Sequence, residues 1–135
     1  MIQTSAVQQA IIMKNKKQKF GERSENLAVW YLKKNGYKII EQNYRNRIGE
    51  IDIIARDKKT IVFVEVKSRR SIRFGSPKQA VTPKKQRKIS MVALYYLKDT
   101  KQSDAKARFD VVAITSNRDE PRIEIVKNAF DLAYE

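Results

Sequence analysis

The sequence predicts an α/β domain in the order α-β-β-β-α-β-β, on three observations. Two stretches carry apolar residues at helical three- and four-residue steps, and five shorter stretches are rich in β-branched and aromatic residues. Cap and turn residues separate them. At 135 residues and 41% hydrophobic content, the chain supports one modest core and is short for two.

The elements follow in order. Residues 1–18 read as a flexible, basic N-terminal arm ahead of a single domain over 19–135. The opening MIQTSAVQQAIIM has no basic region before an apolar run, and its longest apolar stretch, Ile11 to Met13, is far short of a membrane span. Met13, followed by KNKKQK, is an alternative start. From about residue 20 to 35 the spacing predicts a helix: Leu27, Ala28, Tyr31 and Leu32 form a stripe, and Asn35-Gly36 is a stop signal. Glu25 sits one turn before Ala28 and Val29, at the margin of that stripe, where it can look inward.

Tyr37 to Arg45, Ile48 to Arg56 and Thr60 to Lys67 read as three strands of a meander. Thr82-Pro83 gives an N-cap followed by proline at the first helical position, opening a second helix with Ile89, Val92, Ala93, Tyr96 and Leu97 on one face. Arg108 to Thr115 and Arg122 to Val126 read as two further strands joined around Asn117 to Pro121. The tail NAFDLAYE fits no single assignment.

Composition restricts the chemistry. Lys and Arg number 29 against 15 Asp and Glu, a formal net charge of +14. That field favours a polyanionic partner, most often nucleic acid, although a ribosome surface or an anionic membrane has the same sign. There is no Cys and no His. Disulfides, thiolate nucleophiles and imidazole bases are therefore excluded, and zinc loses its usual ligands. Any catalysis falls to carboxylates, Lys, Arg, Tyr, Ser or Thr, and any metal to a hard cation such as Mg²⁺ or Mn²⁺. The lack of Cys also fits a cytoplasmic location.

The stretch GEIDIIARDKKTIVFVEVKSR carries charges inside its strand pattern, at Glu50, Asp52, Glu65 and Lys67. A hairpin turning about Lys58-Lys59 sets Asp52 opposite Glu65 and Glu50 opposite Lys67, all on one face. Facing carboxylates repel unless a cation lies between them, and unpaired charge in a covered sheet costs of order several kcal/mol per ion. Lys67 offers one positive charge and a divalent metal would offer two. The alternative reading is a solvent face in which Glu50 and Lys67 form an ordinary cross-strand pair, worth under about 1 kcal/mol. Spacing alone leaves the two readings nearly balanced.

The order of motifs shifts that balance. GERSENLAVWYLKKNGYKIIEQNYR, then GEIDIIA, VFVEVKSR, FGSP, AVTPKKQRKI and RFDVVAI, resembles the YraN family of small bacterial proteins, related to archaeal Holliday-junction resolvases within the PD-(D/E)XK nuclease superfamily. The resemblance covers roughly residues 20–130. It implies a restriction-endonuclease-like core, with a central mixed five-stranded sheet flanked by helices. It further implies a phosphodiesterase centre in which Glu25, Asp52, Glu65 and Lys67 are catalytic. Asp52, Glu65 and Glu25 would hold Mg²⁺ or Mn²⁺, and Glu50, in the same GEID motif, is a further candidate member. Ile51 stands where the motif's Pro is usual, which leaves the acidic ligands intact.

Basic residues beside these motifs supply a grip on phosphate: Arg69, Arg70, Arg73 and Lys78 after the E-x-K strand, and Lys84, Lys85, Arg87 and Lys88 at the opening of the second helix. Gly75 and Ser76-Pro77 would let backbone approach closely. Asp110 is better read as a capping or salt-bridging residue than as a ligand. The function expected is a metal-dependent endonuclease acting on DNA, with branched or damaged DNA suggested by the resolvase kinship. The alternative is a noncatalytic nucleic-acid-binding protein that keeps the nuclease fold. Resolvases act in pairs on symmetric junctions, so a homodimer is implied as well. A structural ribonucleoprotein component leaves the acidic face unexplained, and the basic surface argues against a neutral sugar substrate.

Overall fold

A computed structural model describes residues 23–70, 81–116 and 121–132. The N-terminal arm, Arg73, Gly75, Ser76-Pro77 and Lys78 lie outside the described residues. The elements are α1 (residues 23–34), β1 (Lys38–Arg45), β2 (Glu50–Asp57), β3 (Thr60–Arg69), α2 (Pro83–Asp99), β4 (Ala107–Ser116) and β5 (Pro121–Phe130). The five strands form one sheet in sequence order. β1, β2 and β3 are an antiparallel meander, β3 and β4 run parallel across the α2 crossover, and β4 and β5 are antiparallel. The sheet is therefore mixed, in the expected restriction-endonuclease-like arrangement.

Strand alternation divides the core between two faces. Ile54, Ile61, Phe63, Phe109 and Val111 pack with Ile89, Val92, Ala93 and Tyr96 of α2. Ile53, Ala55, Val62, Val64 and Val112 pack with Ala28 and Leu32 of α1. The helices thus cover opposite faces, which is why β3 reads as a nearly continuous apolar run.

Local signals set the boundaries. Gly36 takes φ +90°, its N–H donates to the Lys33 carbonyl, and the Tyr37 N–H donates to the Leu32 carbonyl at 3.0 Å. This paired closure ends α1 and brings Tyr37 and Leu32 into one cluster. Lys58 carries the hairpin turn at φ 57°. Thr82 caps α2, its side chain accepting from the Lys85 N–H.

β5 extends beyond the expected Val126 to Phe130, so the start of the tail is strand. Its register against β4 shifts between Phe109 and Val111, and Asn128 there has φ 52°. The fully buried Asp110 carboxylate bridges this irregularity, accepting from Asn128 N–H, Tyr37 Oη and Arg108. Arg108 also reaches Asp57 at 2.7 Å. This network accounts for Asp110 as the salt-bridging residue that the sequence suggests. Burial first, then the Asp110 hydrogen bond, drives the Tyr37 hydroxyl pKa upward. Hydrogen bonding to Arg108 draws Asp57 below the ordinary carboxylate range.

Candidate active site

The β2–β3 ladder starts at Asp57 with Thr60 and runs in register to Ile53 with Val64, where the paired residues end. Asp52 and Glu65 are the next residues along that register. The Asp52 carboxylate accepts the Val66 backbone N–H at 2.8 Å, taking the place of a backbone partner. The strands therefore part at the position of the two carboxylates, with one of them closing the end of the ladder.

Glu65 shares the parity of Ile61 and Phe63 and so faces α2, with only 8% of its side chain exposed. Lys85, in the first turn of α2, places Nζ 3.6 Å from Glu65 Oε1. Burial and then the neighbouring Asp52 charge push the Glu65 carboxyl up to about 7. Burial also raises Asp52, against the pull of the Val66 N–H and of Lys85. The two carboxyls are close enough for each to perturb the ionisation of the other. They thus form an interacting carboxyl pair, whose full ionisation calls for positive charge nearby.

Lys67, two residues on, lowers the Glu65 pKa through its charge. With Ser24, Glu25, Asp52, Val66 and Ser68 it lines an open cleft of about 280 Å³ between the start of α1 and the end of β3. The fold therefore brings Glu25, Asp52 and Lys67 to one cleft and joins Glu65 to Asp52 behind it. Among the described residues, no group of three or more Asp or Glu side chains closes into a metal cage.

Glu50 has a different neighbour from the one the hairpin register suggests. The β2–β3 ladder does not reach it. Glu50 pairs instead across β1 with Arg45, the guanidinium 3.0 Å from its carboxylate. Its charge still raises the Asp52 pKa.

Glu50 also lines a largely basic groove of about 550 Å³, walled by Arg45, Arg47, Lys84, Lys85 and Lys88. Asn46 shapes its β1–β2 wall, accepting the N–H groups of Ile48 and Gly49 on its side chain. Gly49 permits the close approach of that turn to α2: a Cβ there would lie 3.0 Å from Lys88 Cε and 3.3 Å from Val92 Cγ2. Arg45 and Arg47 were not among the expected contacts. The segment YRNRIG shows their charge, but only the antiparallel turn shows that they face α2. Of the other basic residues, Arg87 and Arg70 are exposed, and Arg69 donates to Thr115 at 3.4 Å from β3 to β4.

Comparison with known proteins places the chain in a family. The profile of UPF0102, an uncharacterised protein family, matches residues 24–114. The chain belongs to the UPF0102 family. This is the YraN family suggested by the sequence motifs. A UPF0102 protein of Geobacter metallireducens is 57% identical over 114 residues, covering 84% of this chain and 93% of its own length. One from Desulfosudis oleivorans is 54% identical over 119 residues, covering 88% and 95%. One from Syntrophus aciditrophicus is 55% identical over 114 residues, covering 84% and 90%. Their names state no activity. Among the described residues of the present UPF0102 chain, no helix is long and apolar enough to cross a membrane.

Proposed function

We propose that this UPF0102 protein is a divalent-metal-dependent endonuclease that hydrolyses phosphodiester bonds in DNA. The observation that carries the reading is the Asp52–Glu65 pair, held together against its own repulsion where β2 and β3 part, beside Lys67 and next to a basic groove. Proteins seldom keep a buried carboxylate beside a second, half-buried one without a task for them.

The donor set fits a small hard cation. Mg²⁺ is typically held by one or two carboxylates, with water and substrate phosphate oxygens filling the remaining positions, so a two-carboxylate site without His or Cys is suitable. Asp52 and Glu65 would hold it, with Glu25 reaching it from the α1 side of the cleft. When bound, such a cation polarises a phosphoryl oxygen and acidifies water. The remaining work falls to the chain itself. Lys67, on the strand that carries Glu65, steadies a phosphate oxygen or the attacking water through its ammonium. Arg45, Arg47, Lys84 and Lys88 draw the flanking backbone along the groove, through contacts that position a strand without reading its sequence.

The test is cleavage of labelled linear, flapped and four-way-junction DNA in Mg²⁺, Mn²⁺ or EDTA, with Asp52→Asn and Glu65→Gln as controls. The reading expects cutting that EDTA and either substitution abolish. Binding of all three DNAs without cutting by any form would replace it with the noncatalytic binder. Branched-DNA preference would show as faster cutting of the junction, and pairing of two copies as a doubled mass in light scattering.

A further inference from the structure

Lys85 belongs to two surroundings at once. Its ammonium lies 3.6 Å from the buried Glu65 carboxylate, yet its side chain is 46% exposed and lines the basic groove with Arg45, Lys84 and Lys88. Its backbone is fixed: Pro83 opens α2 and the Lys85 N–H donates to Thr82 Oγ1. The first turn of α2 contains no acidic residue, so the anion Lys85 meets comes from β3 rather than from its own helix. A four-carbon stem on an anchored Cα lets one ammonium swing between a carboxylate on one side and a groove-bound phosphate on the other.

We propose that Lys85 is a transferable cation that couples metal binding to nucleic-acid binding, an inference that rests on the nuclease reading. Without a metal, Lys85 supplies part of the positive charge that the Asp52–Glu65 pair needs. A divalent cation between the carboxylates takes over that role and repels the ammonium. Lys85 then turns into the groove, where a backbone phosphate receives it. By linkage, nucleic acid that captures Lys85 must favour the metal to the same degree. The groove is thereby weaker for DNA until the site is loaded, which restrains unproductive binding.

Two measurements without any cutting step test this. Fluorescence anisotropy of a labelled duplex, at constant ionic strength, compares wild type, Lys85→Met and Lys84→Met in EDTA and in Ca²⁺. Lys84→Met should weaken binding by the same factor in both conditions, as loss of a plain phosphate contact does. Lys85→Met should change binding by no more than about twofold in EDTA but weaken it about tenfold in Ca²⁺, a coupling in the usual range. Calorimetry of Mn²⁺ binding without DNA should show Lys85→Met binding several-fold more tightly than wild type, because a competing cation is gone. Equal weakening of duplex binding in the two conditions, unchanged or weaker Mn²⁺ binding, or absence of duplex binding by every form would overturn the proposal. A protein that binds and couples in this way but never cuts would sink the nuclease reading and leave the role of Lys85 standing.

Discussion

Replacing Glu65 by Gln should stabilise the metal-free protein, and only above the acid range. Glu65 moves from the ordinary 4.5 to about 7 because it is buried beside Asp52. At 1.36 kcal/mol per unit, this shift corresponds to about 3 kcal/mol of preference for the neutral form in the fold. The sign follows from the direction. A folded-state pKa above the unfolded one gives stability that is complete below about 4.5 and lost as pH rises through about 7. Gln is neutral throughout. Glu65→Gln should therefore match wild type near pH 4 and exceed it by about 3 kcal/mol near pH 9. Urea denaturation in EDTA at several pH values reads this directly, through a midpoint that diverges with pH at constant slope. Adding Mn²⁺ should narrow the gap at high pH by stabilising wild type alone. A difference independent of pH, or a variant weaker than wild type at pH 9, would refute the account of a strained pair.

Other perturbations separate chemistry from scaffold. Lys67→Met should lower the single-turnover cleavage rate by about a hundredfold, the scale for losing one preorganised charge in a reaction centre, with duplex affinity in EDTA little changed. Asp110→Ala should destabilise by about 3–5 kcal/mol in urea titrations, because Arg108, Tyr37 and the Asn128 N–H lose a shared buried acceptor. Gly36→Ala should cost about 1 kcal/mol in the same titration; nothing lies within 4 Å of the new Cβ, so the loss is that of a left-handed backbone.

The scaffold was legible because short-range chemistry specifies it. Asn35-Gly36 ends α1 as a left-handed closure, Thr82-Pro83 opens α2, and Lys58-Lys59 turns the hairpin in the symmetric register. Three features were not, each for a long-range reason. Alternation puts Glu50 and Lys67 opposite one another only if the ladder continues. It stops at Ile53 with Val64, and Arg45 across β1 takes Glu50. Arg45 and Arg47 look like ordinary turn charges until the close approach at Gly49 sets them against Lys84 and Lys88. Asn128 to Phe130 lack a clean strand pattern because the β4–β5 register slips there, with the Asp110 side chain bonding the displaced backbone. Sequence placed Asp52 and Glu65 in register, but the end of the strand ladder just before them emerges only in three dimensions.

The measurement that bears most directly on the account is anomalous diffraction from crystals grown in Mn²⁺. A divalent-cation centre predicts one anomalous peak between the Asp52 and Glu65 carboxylates, with oxygens near the ~2.1 Å typical of a small octahedral cation and the Lys85 ammonium turned away from Glu65. Crystals that carry no peak there, with Lys85 still against Glu65, would contradict it.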